Sequence, residues 1–354
     1  MADTLGTRIT TTMREKLLAV VTDQVLQSNV ALSDYVSKGK PWSGDQITFA
    51  VKYQKNTTFT SFAGFQALST SATVNRVKAR FDPSFVTITS ALPMDEVMVA
   101  LNSGGEERVI DLVKITLVSD AEDFADGFGT QFWADGTGNG NLDVLGLGAA
   151  VDDGSLVPTY GGLSRSTYTG MNAVVTASSG VLSLAKMFTL YFNIVYGNQR
   201  PTVGYTTNAV FGLYNQLLVP QERFMVSMQD VMNGSKRGTG AMDLYFEGFP
   251  IKADQKAPSG IMEFQNQEYM DWYALDPSKT SEVFPGFMSS NYVPDLIEGN
   301  DYTSSKLKGL GMGFTGWVRA QNALAADGFH VAGGQLICRE PRFQGKLTGI
   351  TSIS

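Results

Sequence analysis

The chain has 354 residues, more than one small hydrophobic core serves, so two or three subdomains are expected. Hydrophobic residues make up 43%, yet no apolar run approaches the roughly 20 residues of a membrane span, and the opening residues lack a secretory signal, which reads as a soluble protein made in a cytoplasm. One cysteine, Cys338, excludes a disulfide framework and a multi-thiolate metal site, and a net charge of −7 argues against a dedicated nucleic-acid binder.

Only 17% of residues are charged, against about 25% in an average soluble protein, and Gly, Ser, Thr, Asn and Gln fill the gap. A monomer of this size needs more surface charge than that, so much of the surface is expected to be covered by partners. Residues 1–40 open with Ile9, Met13, Leu17, Val20, Val21 and Val25 at helical spacing.

The period then changes to two. "DQITFAVKY" alternates Ile47, Phe49, Val51 and Tyr53, and "VNRVKARFDPSFVTITS" alternates Val77, Ala79, Phe81 and then Phe85. Polar "QKNTTFTSFAGFQALSTSA" lies between them. The pattern predicts a long two-stranded hairpin with a loose tip over 45–100. Such a hairpin is barely stable alone in water, so it must lie on something.

"SGGEERVIDLVKITLVSDAEDFADGFGTQFW" sets Ser103 and Glu106 at capping-box spacing. Val109, Val113, Leu117, Ala121, Phe124, Phe128 and Phe132 follow in steps of three or four, predicting a helix of roughly 25 to 28 residues, about 40 Å long. Gly127 and Gly129 are expected to loosen its last turns. From 183 onward, "SLAKMFTLYFNIVYG" reads as a helix ended by Gly197, "RPTVGYTT" as a short strand, and "NAVFGLYNQLL" as a helix capped by Asn208. "LYFEGFPIKAD", "GIMEFQN" and "YMDWYAL" are strand-like, and the last fifty residues return to β alternation with a turn at Asp327-Gly328. No internal repeat is visible.

The catalytic inventory is thin. His330 is the one histidine and has no visible partner, so it reads as structural. Cys338 in "GGQLICREPR" reads as a core thiol. "GSKRGTG" (234–240) has its lysine and glycines in the wrong order for a phosphate loop. "ADGTGNGNLD" imitates the first half of a calcium loop, but Gly146 stands where the bidentate glutamate is needed, so it reads as a turn. Asp111, Asp120, Glu122, Asp123 and Asp126 have no histidine partners and read as the solvated face opposite the apolar stripe. "YGGLSRSTYTG" (160–170) is not in dinucleotide-loop order, which leaves a glycine turn carrying Arg165 among hydroxyls.

Three stretches resemble the major capsid proteins of tailed bacteriophages. "FWADGTGNGNLDVLGLGAAVDDG" is similar to their segment after the spine helix, "YGGLSRSTYTGMNA" to a G-G-x-x-R-x-T joint, and "LICREPRFQGKLTGI" to their closing strand, in order over roughly 40–354. The resemblance implies an α+β, Hong Kong-type capsid fold: N-terminal arm (1–43), E-loop hairpin with flanking P-domain strands (44–100), P-domain spine helix and connection (101–180), A-domain (181–300) and closing P-domain strands (301–354). It further implies an icosahedral head subunit assembled in a bacterial cytoplasm into pentamers and hexamers, and located in the virion. It also implies that DNA is enclosed without specific binding, with no cofactor, metal or membrane expected. No long coiled-coil scaffold segment is visible, which implies either a separate scaffolding protein or prior removal of such a segment, and the resemblance adds a portal and optionally a decoration protein as partners. An encapsulin-type shell, an enzyme with an unrecognised site, and a tail or neck protein are the alternatives.

The expected inter-subunit contacts follow from charge together with that resemblance. Arg76, Lys78 and Arg80 alternate in a strand and so share one face. In the family the E-loop lies across a neighbour's P-domain, which carries that row towards Asp120, Glu122, Asp123 and Asp126. Arg165 is expected to tether a neighbouring loop or carboxylate.

Overall fold

The computed structural model describes residues 29–222, 244–274 and 312–353, apart from positions 43, 72, 105, 178, 321 and 322. The periodic segment at 9–25 and the 234–240 loop lie outside the described residues.

A hairpin is present but shorter than the expected 45–100: β2 (Ile47–Lys52) and β3 (Arg76–Phe81) pair antiparallel with Ile47 opposite Phe81 and Lys52 opposite Arg76, whereas the alternation from Phe85 onward belongs to a different sheet and the chain from Met94 is helical. Its alternation separates two faces. Ile47, Phe49, Val51, Val77, Ala79 and Phe81 turn inward, whereas Thr48, Ala50, Lys52, Arg76, Lys78 and Arg80 are exposed. After a tight connection, β4 (Ser84–Pro93) pairs with the long strand β16 (Ala325–Cys338) from Ser84–Gly334 to Pro93–Ala325. The opposite edge of β16 carries β13 (Met270–Ala274), β14 (Met312–Phe314) and β15 (Val318–Arg319), and β1 (Lys40–Pro41) extends the sheet beyond β13.

The turn expected at Asp327-Gly328 is not formed. β16 runs straight through it, with Asp327 opposite Ala91 and Gly328 opposite Ser90. The glycine serves close approach instead: a Cβ there would lie 2.3 Å from the Phe314 ring.

The long helix also differs at its start. The chain is already helical over α2 (Met94–Gly104), so Ser103 falls inside that helix instead of capping the next one. α3 (Glu106–Trp133) then runs 28 residues and packs across β4 and β16. Leu117, Ala121, Phe124, Phe128 and Phe132 are buried as the periodicity requires, and Phe128 meets Trp272 edge-on at 5.5 Å. Gly129 does not loosen the helix. It admits the short helix α1 (Val30–Val36), because a Cβ at 129 would sit 2.3 Å from Asn29 Oδ1. Asn29 in turn donates from Nδ2 to the Ala125 carbonyl at 3.0 Å.

A second core lies under a six-stranded sheet in the order β10 (Leu244–Phe246), β11 (Phe249–Ala253), β9 (Val203–Thr206), β12 (Met262–Gln265), β17 (Gly345–Leu347), β7 (Val174–Thr176). α4 (Leu184–Ile194) begins at Ser183, whose hydroxyl accepts from the Lys186 N–H, and α5 (Asn208–Glu222) is capped by Thr207, one residue before the expected Asn208. Met187, Leu190, Ile194, Val210, Phe246, Phe249, Phe264 and Leu347 fill this core. The closing segment is therefore shared between the two cores. β16 stays in the first sheet, while Leu347 and Ile350 carry β17 and β18 (Ile350–Ile353) into the second core, β18 pairing with β8 (Gly180–Leu182).

Candidate functional site

The glycine–arginine stretch builds the root of the hairpin. β5 (Thr159–Tyr160) and β6 (Leu163–Ser164) pair through a two-residue turn, with Gly161 at φ +59° and Gly162 at φ +73°. Both values are left-handed, as such a hairpin requires, and glycine adopts them without strain. Gly161 does a second thing: a Cβ there would meet Phe81 at 2.6 Å, and its carbonyl accepts from the Arg80 N–H at 2.9 Å. Phe49 stacks on Phe81 at 5.8 Å, and Phe81 meets Tyr160 edge-on at 4.9 Å. Tyr160 is fixed from behind, its hydroxyl accepting from the Cys338 N–H at 2.9 Å.

Arg165 completes this anchor. Its guanidinium donates to the carbonyls of Asp152 and Ala149, lies 3.5 Å from the Asp152 carboxylate and stacks 4.9 Å over the Tyr160 ring. The Asp152 carboxylate also accepts the N–H groups of Gly154, Leu156 and Val157, a nest that the Asp-Asp-Gly run could have signalled and that sequence reading missed. Arg165 does hold a loop and a carboxylate, but in its own chain. With 1% of its surface exposed it has none to offer a neighbour, which corrects its place among the inter-subunit contacts.

The outer face of the hairpin is the opposite case. Lys52, Arg76, Lys78 and Arg80 are all exposed, and among the described residues no salt bridge engages them. Lys52 sits directly opposite Arg76, a like-charge pair that costs stability until a counter-charge arrives. A shallow hollow of about 380 Å³ lies on this face between Thr48, Ala50, Arg76 and Lys78. Beyond it, residues 54–71 are largely exposed, with Phe59 (95% exposed), Phe62, Phe65 (109%) and Leu68 uncovered.

The expected acidic partners divide. Asp123 is exposed, and Asp120 and Glu122 are half-buried. Asp126 is held in its own chain by Lys256 at 2.5 Å. The structure does not bring the basic row and these acids together within the subunit.

Among the described residues, no catalytic constellation accompanies this surface. Both nitrogens of buried His330 lack partners, its ring rests 4.8 Å from Phe314, and burial lowers its pKa to about 4. Burial likewise pushes the Cys338 thiol up to about 12, far from a reactive thiolate. The carboxylates of Asp135 and Asp143 are taken by Thr137 and by Gln131 and Asn139, and among the described residues no three groups could hold a metal ion.

A long helix on a sheet, a second core with its own sheet, and an extended hairpin projecting from the first define the fold of tailed-phage major capsid proteins, the Hong Kong-type shell fold. The chain matches the cyanophage A-1(L) capsid with a TM-score of 0.72 at 16% identity, covering 96% of this chain and 97% of that one. It also matches the capsid of the native GTA particle (TM-score 0.55, 10% identity, 99% and 100% covered) and the capsid of Myoviridae phage XM1 (0.54, 10%, 95% and 97%). No family profile and no curated protein sequence matches the chain. No helix among the described residues is long and apolar enough to cross a membrane.

Proposed function

We propose that the chain is the major capsid subunit of a tailed-phage head: a structural protein of the virion, not an enzyme, that self-assembles through pentamers and hexamers around packaged double-stranded DNA. The observation that carries this reading is the two-faced hairpin. One face is welded to its own subunit at Gly161 and Tyr160, while the basic face and the aromatic tip have no cover. Such a projection fits a ring-forming contact in which each copy covers the next.

On this reading residues 44–93 are the E-loop and its flanking strands, α3 is the spine helix, and the second core is the A-domain. Arg76, Lys78 and Arg80 face Asp123, Glu122 and Asp120 of an adjacent copy. Each partly exposed pair is weak, but a closed shell repeats it in every subunit. A separate scaffolding protein, a portal and a decoration protein complete the head.

Deleting 56–72 from the hairpin tip tests the proposal. The shortened chain is expected to fold, with unchanged far-ultraviolet circular dichroism, yet to form no closed shells by electron microscopy. Normal particles from that deletion would overturn the hairpin's role.

A further inference from the structure

The two cores meet at a buried polar seam that shell formation does not explain. β12 turns Met262 and Phe264 into the second core and Glu263 and Gln265 the other way, towards α1. There Tyr35 donates its phenolic proton to Gln265 Oε1 at 2.6 Å, and Gln265 donates from Nε2 to Glu263 Oε2 at 2.6 Å. Tyr35, Gln265 and Glu263 are each at most 2% exposed. α1 is pinned beside this chain as well. The Ala31 N–H donates to Asp254 at 2.8 Å, and Asp34 accepts from the Tyr205 hydroxyl at 2.7 Å and from Lys252 at 2.5 Å.

We propose that Glu263 is a proton-operated latch on this seam, holding α1 against the second sheet when protonated and releasing it when ionised. The groups around it decide the direction. Lys346 on β17 and Tyr205 on β9 are its neighbours in register, Gln265 lies on its own strand, and Tyr35 of α1 is joined to it through Gln265, where the charges of Asp34 and Glu263 and the Cys338 thiol all act on the Tyr35 hydroxyl. Lys252 is committed to Asp34, and Asp153 draws on the same Lys346. A single cation, with no salt bridge to Glu263 among the described residues, has to answer a carboxylate removed from water.

It does not succeed. Burial lifts Glu263 from its ordinary 4.5 to about 7, against the opposing pull of Lys346 and of the Gln265 amide. A carboxyl freed to solvent keeps its ordinary value, so the closed seam binds the proton more tightly than the open one. Acid therefore closes the latch and deprotonation opens it. The opening constant rises by up to about tenfold per pH unit between 4.5 and 7 and levels off above 7. The route out is α1, because the opposite face of β12 is the second core.

Hydrogen exchange of the purified full-length chain from pH 5.5 to 8.5, corrected for the intrinsic rate, reads this directly on α1 and β12. Protection there is expected to fall about tenfold or more between pH 5.5 and 7.5 and then level off. Glu263→Gln, a neutral isostere, is expected to stay at the protected level throughout. Lys346→Met removes the counter-charge and is expected to move the fall to higher pH, which keeps the proposal testable should the glutamine variant not fold. A flat wild-type profile, a fall that persists in Glu263→Gln, or a Lys346→Met profile displaced to lower pH would each overturn it. So would an equal loss of protection in α3, which would mean general loosening in place of a local latch.

Discussion

Replacing Arg165 by alanine strips the hairpin root of its deepest support. The side chain is 1% exposed, donates to two buried carbonyls and lies 3.5 Å from the Asp152 carboxylate. Removing one partner of a buried pair costs about 3–5 kcal/mol, because the other is left charged without compensation. Asp152 retains three backbone N–H donors, which soften that loss. The two orphaned carbonyls and the space left beside Tyr160 add to it, so the expected destabilisation is on the order of 4 kcal/mol. Urea unfolding followed by tryptophan fluorescence measures it. Hydrogen exchange should also show faster opening of β2 and β3, since Tyr160 loses the guanidinium 4.9 Å above its ring. Arg165→Lys keeps the charge but not the fork, and should fall between wild type and alanine. A double-mutant cycle with Asp152→Asn isolates the pair. An alanine variant within about 1 kcal/mol of wild type, with unchanged exchange in the hairpin, would refute the account of this anchor.

Gly161→Val should loosen the hairpin root and lower particle yield in an assembly assay, because φ +59° strains any branched residue and Phe81 lies 2.6 Å from the new Cβ. His330 is held neutral by burial, its pKa falling from 6.5 to about 4, so the unfolded chain takes up the proton first. Its contribution is full above pH 6.5 and is lost as pH falls through 4, up to about 3 kcal/mol, and His330→Leu should flatten that part of an acid-unfolding curve. Reversing Arg76, Lys78 and Arg80 to glutamate together should block shell formation in a sedimentation assay. Reversing Asp123, Glu122 and Asp120 in the same chain should partly restore it, and no restoration would separate the basic row from those acids.

Local pattern was enough for the elements whose burial is decided by alternation. The period-two runs at 47–52 and 76–81 give the hairpin and its two faces, and the three-and-four spacing from Leu117 to Phe132 gives the buried stripe of the long helix. The basic row on one face followed from the same geometry. The glycine–arginine joint was visible as a turn, and its place in the chain pointed to the fold. What each of those residues touches was not visible, because contact partners are set by packing between distant segments. Gly328, Gly129 and Gly161 looked like a turn signal, a weak point and a loop. Each is in fact a place where Phe314, Asn29 or Phe81 comes too close for a side chain.

The sequence by itself determined the alternation, the helix stripe and the charge on each strand face, since these depend on neighbours two to four residues away. Only the tertiary structure decided that Arg165 is spent on Asp152, that Asp126 is taken by Lys256, and that Tyr35 reaches Gln265 across 230 residues of chain to meet Glu263. The physical reason is that partner and burial are set by which distant stretches of chain pack together, and for Glu263 they are set only once the two cores have closed on one another.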